Sequence, residues 1–120
     1  MLAQLLAEVP QARAAIFCDH EGESVDWAAA ERPGFARLSE YDVKICGAQL
    51  AASWMLLDER ARAGAAGGLR ALELRAATGT LLCHAVQEGY YLMLVLTAMP
   101  GSARAARTLA EAAAAFAREM

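Results

Sequence analysis

Tyr41-Asp-Val-Lys-Ile-Cys-Gly-Ala-Gln-Leu-Ala-Ala-Ser-Trp-Met-Leu-Leu-Asp-Glu-Arg-Ala-Arg-Ala63 is the stretch whose reading decides the fold. At about 100° per residue it predicts the longest helix of the chain. Val43, Gly47, Leu50, Trp54, Leu57 and Ala61 fall on one stripe, and Ile45, Ala48, Ala52, Met55 and Leu56 fall on a second, roughly opposite one. A surface helix ordinarily has one apolar stripe and a charged back. A helix with two is enclosed in a large core or lies between its own domain and a partner. In one domain of 120 residues the remaining elements are needed to cover a sheet. The stripe through Val43, Leu50, Trp54 and Leu57 is therefore expected to face the helix's own sheet, and the other to face the same helix of a second copy.

The ends of this helix are marked. Ser39 or Asp42 can cap its start. Arg60 and Arg62 in the last turn suit the negative end of the helix dipole, and the Gly64–Gly68 cluster breaks the helix.

Three strands are expected downstream. Leu69–Ala76 has Arg70, Leu72 and Leu74 on one face and Glu73 and Arg75 on the other, the mixed pattern of an edge strand. Thr78-Gly79-Thr80 turns into Leu81–Gln87, and Glu88-Gly89 turns into Tyr90–Thr97. The last of these is the most uniformly apolar and is the candidate for the sheet centre. Pro100-Gly-Ser102 opens a final helix whose stripe is Ala105, Leu109, Ala112, Ala113, Phe116 and Met120.

Upstream, Leu2, Leu5, Leu6 and Val9 have helical spacing over residues 2–9, and Pro10 stops that helix. Ala12–Asp19 reads as a strand buried on both faces. Asp19-His-Glu-Gly-Glu is a polar turn with Gly22 free to take positive φ, and Ser24–Ala28 returns as a second strand. Glu31–Glu40, with Pro33-Gly34 inside it, connects to the long helix. Residues 1–120 are thus expected to form a single α+β domain. Its plan is one mostly antiparallel five-stranded sheet with helices on both faces, in the order α-β-β-α-β-β-β-α.

Composition excludes several classes of function. The formal net charge is −3 and Lys44 is the only lysine, so no basic stripe exists for nucleic acid. The hydrophobic fraction is 58 %, but much of it is alanine, and no apolar run reaches the ~18–20 residues of a membrane span. The N-terminus lacks a basic leader and a cleavage site. Cys18, Cys46 and Cys83 are far apart and odd in number, which fits reduced core thiols in a soluble, cytoplasmic protein.

Catalytic motifs are absent. There is no phosphate loop, no dinucleotide fingerprint and no nucleophile elbow. His84 adjoins Cys83, but strand neighbours point to opposite faces. A zinc site needs about four ligands, and the cysteines lie on three different elements. Asp19, Glu21 and Glu23 crowd a turn tip where solvated carboxylates are expected, and Trp27 on the second strand is expected to pack under a loop. The expectation is a non-enzyme with no metal and no cofactor.

The ordered set of local strings resembles the Roadblock/LC7 domain family, in its bacterial, MglB-like branch. The strings are Leu5–Pro10 leading into Ala14–Gly22, Tyr41–Leu50, Thr78–Leu82, Glu88-Gly-Tyr-Tyr-Leu-Met-Leu-Val-Leu96 and the closing helix. They span essentially the whole chain, while the Glu31–Ser39 linker matches nothing in the pattern. The resemblance implies a profilin/longin-like sandwich that forms a homodimer through the long helix and an edge strand. The interface residues would be Ile45, Ala48, Ala52, Met55 and Leu56, with Glu73 and Arg75 on the strand. It also implies a small Ras-like GTPase as partner, bound by a GTPase-activating regulator or by a scaffold. The family has no catalytic motif to carry over, and no arginine is assigned as a finger. Three alternatives remain: a small-ligand sensor, a general interaction module of the same fold, and a thiol enzyme using Cys83 or Cys18.

Overall fold

Eight elements follow one another in the expected order: α1 (Leu2–Glu8), β1 (Ala12–Asp19), β2 (Ser24–Ala29), α2 (Glu40–Ala63), β3 (Ala71–Arg75), β4 (Gly79–Gln87), β5 (Tyr90–Thr97) and α3 (Ala103–Glu119). They are taken from a computed structural model, which describes residues 1–87, 89–98 and 101–120. Glu88 and Pro100, read above as parts of a turn and of a helix start, lie outside the described residues.

The strands form one antiparallel sheet in the order β2-β1-β5-β4-β3. β5 is its middle strand. Its continuous apolar run is two alternating faces, each buried in a different core. Leu92, Leu94 and Leu96 pack with α1 and α3, where Leu5, Leu6, Leu109 and Ala113 close over them. Tyr91, Met93 and Val95 pack on the opposite face with Val43, Leu50 and Trp54 of α2. The sheet is therefore covered on both sides, and its two outer strands are β2 and β3.

α2 starts one residue before the expected position because Ser39 and Asp42 both act as caps. The Asp42 amide donates to Ser39 Oγ (3.1 Å), and the Ser39 amide donates to Asp42 Oδ2 (3.2 Å). This reciprocal pair satisfies two of the free amides at a helix start. Val43, Gly47, Leu50 and Trp54 are buried as expected. Leu57 departs from the stripe and is 37 % exposed, since α2 by then runs past the part of the sheet it covers.

The turn between β1 and β2 is pinned onto α2. Asp19 Oδ1 accepts the amides of Glu21 (2.9 Å) and Glu23 (3.1 Å), which forces a tight reversal with Gly22 at φ +84°. Gly22 then lies against Gly47, where a β-carbon on Gly47 would sit 2.5 Å from the Gly22 carbonyl oxygen.

β3 is shorter than the expected Leu69–Ala76. At one end the Leu69 amide donates to Asp58 Oδ1 of α2 (2.7 Å) instead of entering a ladder. At the other end the Ala76 amide closes the turn onto the Gly79 carbonyl (2.8 Å). α3 buries Ala105, Leu109 and Ala113, with Ala112 and Phe116 packed beside them, while Met120 is exposed.

The Glu31–Ser39 connection has a structural task that composition did not show. Arg32 donates through Nη2 to the Leu6 carbonyl at the end of α1 (2.9 Å) and through Nε to the Ala12 carbonyl. It thereby satisfies an orphan helix carbonyl and ties α1 to β1. Arg13 lies over the Phe35 ring at 4.7 Å and donates to the Ala36 carbonyl (3.2 Å), which holds the loop down. Arg32→Ala is expected to lower the unfolding free energy by about 1.5–3 kcal/mol, the range for partly buried hydrogen bonds to a charged group. Urea unfolding measures it, with the slope unchanged.

Candidate interaction face

The second stripe of α2 is uncovered. Ile45, Met55 and Leu56 are 40 %, 63 % and 52 % exposed, and Ala48 and Ala52 are exposed between them. Large side chains at the ends and alanines in the middle make a shallow surface that another helix can approach closely. Tyr41, in phase with Ile45, Ala48 and Ala52, extends this surface to the start of α2 and is the most exposed of its large side chains.

The surface continues onto β3. Leu72 and Leu74 pair with Cys83 and Leu81, so they lie on the face of the sheet that α2 covers. Leu74 is left 39 % exposed. As the outer strand, β3 has no neighbour on its far side among the described residues. Apolar side chains and an open strand edge therefore lie side by side.

Glu73 and Arg75 sit on that strand with their side chains turned to the opposite face. Glu73 Oε1 accepts the Ser102 hydroxyl at the head of α3, and Glu73 Oε2 accepts Arg75 Nε at 2.8 Å. The Ser102 bond, and after it the Arg75 bond, hold the Glu73 carboxyl below the usual carboxylate range. Whatever these two residues contribute to a strand-edge contact comes through their backbone. Leu74 and Tyr41 were missing from the interface read from sequence. The signals for both were present, in the shared face of Leu72 and Leu74 and in the helical phase of Tyr41.

No catalytic constellation accompanies this face. Burial pushes the Cys18 thiol up to about 12, with the neighbouring Asp19 adding to the effect, and burial also raises Cys83 and Cys46. Thiols held protonated are poor nucleophiles. Native protein is accordingly expected to protect Cys18 and Cys83 from iodoacetamide near neutral pH while the half-buried Cys46 reacts slowly; intact-mass spectrometry with and without denaturant reads this directly. His84 Nδ1 lies 2.8 Å from the Ala85 carbonyl, and His20 faces Glu21 at 3.8 Å. Among the described residues no three His, Cys, Asp or Glu side chains gather into a metal-binding group. No helix among them is long and apolar enough to cross a membrane.

This two-sided sheet, with one long helix on one face and two shorter helices on the other, has counterparts among Roadblock/LC7 domains. Solved structures agree. The Roadblock/LC7 domain from Streptomyces avermitilis superposes with a TM-score of 0.82 at 14 % identity, over 98 % of this chain and 92 % of that one. The gliding protein MglB from Thermus thermophilus gives 0.83 at 17 % identity, over 98 % and 83 %. MglC from Myxococcus xanthus gives 0.69 at 19 % identity, over 99 % and 95 %. The chain has the Roadblock/LC7 fold in its MglB-like form. No protein-family model matches the sequence. No curated protein matches it either. Identities this low carry the fold and not the activity.

Proposed function

We propose that the protein is a non-enzymatic homodimer that regulates or scaffolds a small Ras-like GTPase. The observation that carries this reading is the uncovered apolar stripe of α2, continuous with the open β3 edge. Exposed apolar patches of this kind, rimmed by polar residues, mark interaction sites. Here Lys44, Gln49 and Glu59 supply polar exposure around the stripe. The two-fold arrangement follows from a patch that can pair with itself: α2 against α2, with β3 against β3. Among the described residues Cys18 and Cys83 are buried, Cys46 is half-buried and no acid–base set is assembled, so the influence on a GTPase would act by contact. The GTPase as partner class rests on the resemblance of the sequence to the MglB-like branch and on the fold it shares with MglB.

The ligand-sensor alternative requires an enclosed apolar cavity. The cleft of about 910 Å³ among the described residues is instead open, with arginine and histidine in its lining. The test of the proposed function uses the purified chain with each small Ras-like GTPase of the same genome, in its GDP and GTP forms. Co-elution with one of them, together with a changed single-turnover rate of GTP hydrolysis or a nucleotide-dependent affinity, is the expected result. Absence of binding to every such GTPase overturns the GTPase reading and leaves the dimer reading to its own test.

A further inference from the structure

A cleft of about 910 Å³ opens at the corner of the sheet where β3 stops short of β4. β3 is paired only as far as Ala71 opposite His84, and the Ala85 amide bonded to the Arg70 carbonyl (2.9 Å) is the last link. β4 runs on to Gln87. Its outer edge at Val86–Gln87 therefore has no strand beside it among the described residues. On the α3 side the wall is Ala110, Ala113 and Ala114, whose small side chains leave the edge open to a visiting chain.

Among the described residues the cleft is lined by more arginine than carboxylate, Arg62 and Arg70 against Asp58, whereas the molecule as a whole carries −3. Asp58 is the one carboxylate lining it among the described residues, and both its oxygens are engaged. Oδ1 takes the Leu69 amide (2.7 Å), and Oδ2 takes Arg62 Nε (2.9 Å). These bonds, the backbone one first, hold the Asp58 carboxyl below its ordinary range, so it stays ionised and its charge offsets that of Arg62. Arg70 is exposed, and its guanidinium presents donors in the planar fork that suits a carboxylate. His20 is turned to Glu21, which leaves the recognition to arginine.

We propose that this cleft binds an acidic segment of a partner protein in extended conformation. The segment would add as a short strand to the Val86–Gln87 edge and set its carboxylates against Arg70. Strand addition gives affinity through the main chain, and charge complementarity chooses the sequence. The site lies off the exposed stripe of α2, and the proposal stands independently of the GTPase reading.

The test is fluorescence anisotropy with two labelled pentapeptides, Glu-Val-Glu-Val-Glu and Lys-Val-Lys-Val-Lys, against the full chain and two variants. Arg70→Glu reverses the charge, and Ala114→Trp fills the wall; both positions are exposed. Circular dichroism and sedimentation of each variant should match the parent, which separates a lost site from a lost fold or a lost dimer. The acidic peptide is expected to bind and the basic one not to bind. Each variant should weaken binding about tenfold or more, and added salt should weaken it further. Equal binding of both peptides, no binding of the acidic one, or unchanged affinity in both variants overturns the proposal. Full displacement of the peptide by inorganic phosphate also overturns it, because the site would then be one for small anions.

Discussion

Met55→Glu is expected to abolish the proposed dimer and leave a folded monomer. Met55 is 63 % exposed in the single chain and stands on the outer stripe of α2 beside Ala52 and Leu56. In a two-fold pairing of α2 with α2 each substitution acts twice. Covering a methionine contributes roughly 1.5–3 kcal/mol, and leaving a carboxylate buried without a partner costs several more. A loss of about 2 kcal/mol per copy, near the bottom of these ranges, already weakens association by about three orders of magnitude. The fold itself should be untouched, because the side chain points away from both cores. Sedimentation velocity combined with thermal unfolding separates the two effects. A variant that stays dimeric shows that the stripe is not the contact, and a variant that unfolds shows that it belongs to a core.

The second large effect is expected at the turn between β1 and β2. Gly22→Ala should destabilise the chain by about 2–6 kcal/mol, which sums a strained backbone of about 1–3 kcal/mol and an overpacked contact of about 1–3 kcal/mol. Gly22 has φ +84°, and a β-carbon there would lie 2.6 Å from the Gly47 carbonyl oxygen and 2.8 Å from the Ala51 β-carbon. Those neighbours are the backbone and a short side chain of α2, so neither can swing aside. The turn would have to lift off the helix, and Cys18 would lose its cover. Gly34→Ala is the matched control: φ is +82°, but no atom lies within 4 Å of the added carbon. Its cost should be the backbone strain alone. The difference between the two variants in denaturant unfolding therefore isolates the packing of the turn on α2. Equal losses would mean that the close approach of Gly22 and Gly47 contributes nothing.

The parts of the fold set by periodicity were legible in the sequence. β1 and β5 have the bounds expected around their apolar runs, Ala12–Asp19 and Tyr90–Thr97, and β5, whose run no polar residue breaks before Thr97, is central. α2 could be read because Ser39, Asp42 and the Gly64 break act within a few residues of its ends. The exposure of its second stripe also followed, from the shortage of other elements to cover it. What escaped was set by contacts between distant residues. Arg32 reaches Leu6 across 26 positions, and nothing local to Pro33-Gly34 announces it. β3 is trimmed at Leu69 by a carboxylate from α2, a competition that strand alternation does not contain. The engagement of Glu73 with Ser102 spans 29 positions, so the side chain appeared free when only its strand was considered. The cleft beside Arg70 arises from that same early end of β3, and it was invisible for the same reason.

Sedimentation equilibrium of the unmodified chain across the micromolar range tests the self-association of α2 most directly. A single species of twice the monomer mass, dissociating only on dilution, is the predicted result. A monomer throughout that range would contradict it.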